Sequence, residues 1–195
     1  LNFVALLGWH PKTEQEIFSQ EDLIKEFKLE DVQKAGAIFD MAKLDWVNGE
    51  YIREKSPREL LELARTYFKT WTSDIQVDVR RPLDLEKIIA LEQPRLKKLS
   101  ELPERTDYFF KEPEYGILLL KWKNMDNEEI KKSLELSAEL LKAVSDKDFT
   151  KKNLEKIFLE KAKDFENRGE LLWPLRVALT GRKASPGPFE LMEIL

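Results

Sequence analysis

The chain has no cysteine and one histidine, His10, in 195 residues. Disulfides, thiol nucleophiles and Cys-based zinc sites are excluded, and so are metal sites built on clustered histidines. Glycine and proline are scarce, at 7 and 9 residues, and no GxGxxG or GxxxxGKS/T phosphate loop occurs. A GxSxG nucleophile elbow is missing as well. No run approaches the ~18 apolar residues that a membrane span requires. A general basic excess is also lacking. The 33 Lys and Arg stand against 37 Asp and Glu, a net charge of −4, so any polyanion site must be a local patch. The opening LNFVALLGW is apolar but has no basic stretch and no small-residue cleavage site, which makes it a poor secretory signal. The lack of cysteine agrees with a reducing compartment. A first residue Leu1 and a closing apolar run Leu191 to Leu195 suggest a piece of a larger protein.

What is present is helical periodicity. Hydrophobic residues make up 42% and charged residues 36%, a balance that suits long exposed helices around a packed core. Leu1 to Trp9 reads as the end of a core helix stopped by Gly8. Ser19 to Asp22 resembles a capping box ahead of Leu23, Ile24 and Phe27. Asp40 can cap a short helix carrying Met41, Leu44 and Trp46, with Gly49 as its stop. Ser56-Pro57-Arg58-Glu59 is a fuller start signal, followed by Leu60, Leu61, Ala64, Phe68 and Trp71 at helical spacing. Thr70 to Val79 reads as a loop. Leu83 to Leu91 is helical, with a break at Glu92–Gln93 and a new turn at Pro94. Pro103 to Pro113 reads as irregular.

In the last third, Ile130, Leu134, Ala138 and Leu141 form an apolar stripe. Thr150 can cap a helix carrying Leu154, Ile157, Phe158, Ala162 and Phe165, ended by Gly169. Leu171 to Thr180 is closed by Gly181. Ser185-Pro186 can open a last helix with Phe189, Met192 and Leu195 inward. Neither repeats nor strand–helix alternation appear, so the expected fold class is all-α. Boundaries near Glu54–Ser56 and Lys121–Asp126 divide the chain into 1–54, 55–121 and 122–195.

Charge is uneven along the chain. Residues 1–54 hold 6 basic and 11 acidic groups, net −5; 55–121 hold 13 and 12; 122–195 hold 14 of each. From Arg80 to Lys98, six basic groups face three acidic ones. From Leu171 to Phe189 there is no acid, and Arg176, Arg182 and Lys183 give +3. Either window is a solvated face or a polyanion site; the second lies by the predicted N-terminus of the last helix, where backbone N–H groups favour anions. His10, with no patterned nucleophile or carboxylate, reads as an exposed loop residue. Trp9, Trp46, Trp71, Trp122 and Trp173 are core residues or stacking platforms.

Four segments in order resemble the C-terminal half of bacterial glutamyl-tRNA synthetases. They are Asn2 to Trp9, similar to that family's NYLALLGW; Gln15 to Ser19; Ala37 to Arg53, similar to FDxxKLxWxNGxYIR; and Pro174 to Gly181 followed by Ser185-Pro186-Gly187-Pro188-Phe189-Glu190. The resemblance implies an all-α chain: the end of a stem-contact region (1–54), a first anticodon-binding helical bundle (55–121) and a second (122–195) cut short at its C-terminus. The family's HIGH-like and KMSKS-like ATP signatures are absent, so the chain is expected to be non-catalytic by itself. ATP and Mg2+ would serve only the full-length ligase, as would glutamate.

The resemblance also implies the site. Arg95, in Glu92-Gln93-Pro94-Arg95, matches the arginine that reads the third anticodon base in discriminating members. A solvated or phosphate-contacting arginine is the alternative. Arg176 matches an anticodon-loop contact. Ser185, Pro186, Gly187 and Pro188 match the loop that meets an anticodon base, although the family more often has a hydrophobic residue at the place of Pro188. Arg182 and Lys183 add charge beside it. Trp46, Asn48, Tyr51 and Arg53 match a junction motif in which Trp46 and Tyr51 pack and Arg53 reaches a phosphate. The implied partner is tRNA(Glu), for a cytoplasmic monomer with no membrane contact. A non-discriminating synthetase that also takes tRNA(Gln), or a helical protein–protein scaffold without RNA, are the rival readings.

Overall fold

The computed structural model describes residues 1–34, 36, 38–72 and 84–195, with backbone alone for 68–72. Among these residues the elements are ten α-helices and several 3-10 turns; the β contact is an isolated antiparallel bridge between Trp9 and Val32. The all-α expectation holds.

The N-terminal layer comprises α1 (Asn2–Leu6), α2 (Gln20–Glu26) and α3 (Met41–Glu54). Buried Asn2 ties it together. Its amide donates to Glu16 O at 2.8 Å, its Oδ1 accepts from Phe18 N at 2.7 Å, and the Tyr51 hydroxyl of α3 lies 2.8 Å from that same oxygen. Ser19 caps α2 by accepting from Asp22 N, but α2 buries none of its own residues. Leu23, Ile24 and Phe27 instead line an open apolar groove of about 600 Å³ with Val4 and Trp9. Asp40 caps α3 as expected. Gly49 does not end it. The helix continues to Glu54, and Gly49 is buried at a place where a β-carbon would lie 3.1 Å from Leu96 O. A crossing backbone, not a helix end, is what calls for glycine there.

Next, α4 (Pro57–Thr72) opens on the predicted capping box: Ser56 Oγ accepts from Glu59 N at 3.3 Å and Glu59 Oε2 accepts from Ser56 N at 2.9 Å. The side chains of Phe68 and Trp71, and the predicted loop beyond Thr72, lie outside the described residues. α5 (Leu85–Glu92) is capped by Asp84 and runs into a 3-10 turn, Gln93–Arg95, where Pro94 interrupts the helix. Part of the expected irregular stretch is regular. Pro103 sits in the first turn of α6 (Leu102–Thr106), followed by a 3-10 turn Asp107–Phe109. Proline lacks only an N–H that a first turn leaves unpaired anyway. Ile52, Leu60, Ala64, Ile89, Leu96 and Leu102 close this core.

The last third holds α7 (Asn127–Lys142), α8 (Lys151–Lys161), α9 (Gly169–Thr180) and α10 (Pro188–Ile194). Two ends differ from expectation. A 3-10 turn, Ala162–Asp164, finishes α8, and Gly169 begins α9 with its N–H donating to Asn167 Oδ1 at 2.8 Å. α10 starts at Pro188 with Gly187 as its cap, because Pro188 fills the first helical position and Ser185 Oγ donates to Pro186 O instead. The buried face of α7 is Ile130, Ser133 and Ser137, and Ala138 is exposed.

The position of α9 is central. Leu171 and Leu175 pack with Leu154, Phe158, Phe189 and Met192. Val177 packs with Leu120, Met125 and Ile130. Leu179 reaches a further core of Ile88, Tyr108, Phe109 and Leu191, which joins α5 and the Asp107–Phe109 turn to α10. Arg176 thus projects from a helix whose neighbouring positions are core.

Candidate nucleic-acid interface

Pro94 forces α5 into the short turn that presents Arg95. Gln93 fastens that turn to the end of α3: its side-chain amide donates to Ile52 O at 2.9 Å and Lys55 O at 2.7 Å, with Arg53 O at 3.3 Å. These carbonyls lie at the C-terminal end of α3, where helix acceptors lack partners. Arg53 meets the same turn from the other side, paired with Glu50 and 3.5 Å from Pro94 O. Its charge is therefore compensated locally.

Arg95 has 29% of its side chain exposed and lies 3.5 Å from the Glu92 carboxylate, which is 2% exposed. Glu92 Oε1 also accepts from the Tyr108 hydroxyl at 2.8 Å. Its Oε2 is buried and has no hydrogen-bond partner among the described residues. Burial and the Glu92 carboxylate together push the Tyr108 phenol far up, so it stays a donor; Arg95 and Arg182 oppose this weakly.

Arg176 stands over the Trp173 ring, 4.6 Å from its centroid, and Trp173 packs on Trp122. Trp173 is held by donating to Leu119 O at 2.8 Å. Arg176 Nη2 donates to Lys183 O at 2.9 Å, while its Nε is buried without a partner among the described residues. Burial, and then the charge of Arg95, lower the Arg176 pKa. Tyr108 feels both Arg95 and Arg182. The structure thus sets Arg95 against the buried tyrosine–glutamate pair and Arg182 against Asp107, the residue before that tyrosine.

The other predicted residues are not equally open. Arg182 donates to Glu104 O and to Asp107 Oδ1, the latter at 2.8 Å. The window without acid in sequence therefore meets acid in space. Lys183 is exposed and Ser185 and Gly187 are half-buried, whereas Pro186 and Pro188 are buried in packing. The expected anion position at the start of the last helix is filled from within: Glu190 folds back toward Gly187 and pairs with Lys151 at 2.9 Å. Arg80 and Arg81 lie outside the described residues. His10 is exposed, as expected. Trp46 is 37% exposed with Lys43 over its ring, rather than packed; Trp9 is core. Asn48 donates to Lys97 O.

Sequence reading missed Glu92, Gln93 and Tyr108. A signal for Glu92 existed: it continues the inward stripe of Ile88 and Ile89 at four- and three-residue spacing, where a carboxylate needs a partner. Among the described residues no group of three or more His, Cys, Asp or Glu could hold a metal, and no helix is long and apolar enough to cross a membrane.

Comparison with known proteins adds the context. The model of the anticodon binding domain matches residues 59–195, and that of the class I tRNA synthetase (E and Q) catalytic domain matches residues 1–46. A glutamate–tRNA ligase of Clostridium tetani is 41% identical over 199 residues, covering all of this chain and 39% of that protein. One from Clostridium botulinum strain Eklund 17B is 40% identical over 201 residues, again covering all of this chain and 40% of that protein. The glutamate tRNA ligase structure from Elizabethkingia meningosepticum, in complex with its amino acid, aligns over 99% of this chain and 37% of its own, with TM-score 0.77 and 29% identity. That of Elizabethkingia anophelis gives 0.74 and 27%, over 99% and 36%. The chain therefore spans about two fifths of the length of the curated relatives it matches.

Proposed function

The chain belongs to the anticodon-binding domain family, in the form carried by glutamate–tRNA ligases, and on that premise we propose that it reads the anticodon loop of tRNA(Glu). Residues 1–54 are the end of the stem-contact region, and 55–121 and 122–195 are the two anticodon-binding units. The parent ligase joins glutamate to tRNA with ATP and Mg2+ in the cytoplasm; this chain, a monomer, performs no ligation by itself.

One observation carries the reading: the core of Ile88, Tyr108, Phe109 and Leu191, against which Leu179 of α9 packs, brings the turn bearing Arg95 toward the helix bearing Arg176, whose Nε is buried without a partner among the described residues. A guanidinium offers a fixed fork of donors to a base edge and a flat face for stacking. Two side by side leave a site for an electronegative, planar ligand. An unstacked anticodon base flanked by phosphates has that chemistry. Arg95 selects the third base, disfavouring tRNA(Gln), and Arg176 contacts the loop. Lys183 is the open residue beside it, Ser185 and Gly187 are partly accessible, and Arg53, Arg182, Pro186 and Pro188 shape the surface around them.

The test is a binding titration of the chain against transcribed tRNA(Glu), tRNA(Gln) and an unrelated tRNA at two salt concentrations. Preferential, salt-weakened binding of tRNA(Glu) is expected. Arg95→Ala should erase about 1–3 kcal/mol of preference, the worth of a good bidentate base contact. Equal losses for tRNA(Glu) and tRNA(Gln) would remove the selective role and favour a non-discriminating synthetase. Binding that ignores salt and tRNA identity would refute the reading.

A further inference from the structure

Glu92 is the anomaly in this site. It is a carboxylate buried to 2% exposure, with one oxygen shared by Tyr108 and Arg95 and the other without a partner among the described residues. For stability alone, an apolar residue on that face would serve better. A buried charge keeps a desolvation cost that an imperfect pairing does not repay. Glu92 shares the buried face of its helix with Ile88 and Ile89, and its partner Tyr108 lies in an apolar core with Phe109 and Leu191.

The surroundings suggest why a charge sits there. Arg95 follows a proline turn that leaves its backbone pinned by Gln93. Its partner Glu92 is held by Tyr108, which shares a core with Leu179 of α9, the helix that bears Arg176, so two like charges are carried on elements of one junction and repulsion favours their swinging apart into solvent. Among the described residues, Glu92 is the one acid within ion-pair distance of Arg95. Tyr108 fixes that carboxylate by donating to the oxygen that Arg95 approaches. Tyr108 is itself seated in the core that joins the two anticodon-binding units.

We propose that Glu92, held by Tyr108, is a positioning residue that keeps the Arg95 guanidinium beside Arg176, so that the two present a paired fork to a base of the RNA loop. This rests on the RNA-reading role given above. Glu92 touches no ligand. It acts through Arg95, and it couples the fork to the junction between the units.

The experiment uses the chain with Glu92→Gln, which keeps volume but loses charge, and Tyr108→Phe, which removes only the hydroxyl and guards against misfolding of the first variant. Two readouts are taken. The first is the affinity of each protein for a 17-nucleotide anticodon stem-loop and for three single-base variants of its anticodon. Glu92→Gln should lose preference at the same anticodon position as Arg95→Ala. Adding Arg95→Ala to it should change that preference by less than about twofold, since effects routed through one group do not add. The second readout needs no RNA: the Nε–Hε order parameter of Arg95 by NMR should fall in both variants while that of Arg53 stays put. Unchanged preference and unchanged Arg95 order, with only a shift in melting temperature, would overturn the proposal and leave Glu92 a structural residue. Wild-type chain that binds no stem-loop would sink the RNA-reading role, while the Arg95 order parameter would still decide whether Glu92 positions it.

Discussion

A phenol 4% exposed and donating to a carboxylate resists ionisation. Burial, then the charge and hydrogen bond of Glu92, raise Tyr108 above its ordinary 10.0. Tyr51 is raised in the same sense, by burial and then Glu54. The unfolded chain begins to lose these protons near pH 10 while the folded chain keeps them. Their stabilisation is whole below that pH and fades as pH rises above it, by up to about 1.4 kcal/mol per pH unit per tyrosine. Urea unfolding at pH 9 and pH 11 should therefore show a steeper loss for wild type than for Tyr108→Phe, Tyr51 and Lys151, also raised, contributing to what remains. Equal slopes would mean that Tyr108 ionises as freely folded as unfolded. At this scale the sequence was partly legible. Arg95 and Arg176 could be picked from a resemblance, and the Arg176 window from charge. Behind them, Glu92 could be told from the many exposed acids only by its place on the stripe of Ile88 and Ile89, and Tyr108 not at all, because its partner lies 16 residues away.

Helix starts were easier to read than helix ends. Asp40, Ser56 and Thr150 cap through their own side chains, within three residues of sequence. Gly49 and Gly169 read as stops, yet one answers a backbone crossing from Leu96 and the other begins a helix against Trp122. Those demands come from distant segments. The face of α7 shows the same logic. Pro174 lies inside α9 and removes the N–H that would bond Glu170 O. Ser133 Oγ donates to that carbonyl at 2.8 Å instead, which explains a buried serine where apolar periodicity predicts none. Ser133→Ala should cost about 1–3 kcal/mol by leaving a buried carbonyl unpaired. In a Pro174→Ala background the restored N–H takes over, and the cost should shrink toward zero. Additive losses in the double variant, measured by thermal unfolding, would rule out this pairing.

Over the whole molecule, charge and periodicity suggested three pieces, and the cores divide differently. Ile88, Tyr108, Phe109 and Leu191 form one cluster with contributions from both sides of the boundary at 121–126. Arg182 spans the same boundary to Glu104 and Asp107. A helical period marks which face of a helix is buried but not which helix covers it, so this junction could not be read in advance. Its consequence is mechanical: the surfaces carrying Arg95 and Arg176 share a packed core, so the angle between them should be fixed in the free chain. Residues 55–195 should then unfold in a single transition. Leu191→Ala empties a fully buried position at the junction and should cost about 2–5 kcal/mol. More tellingly, it should raise hydrogen exchange at amides of α5 and of α9 together. Exchange that rises only in α9 and α10, with α5 still protected, would show two independent units joined by contact alone, with no fixed angle between the surfaces of Arg95 and Arg176.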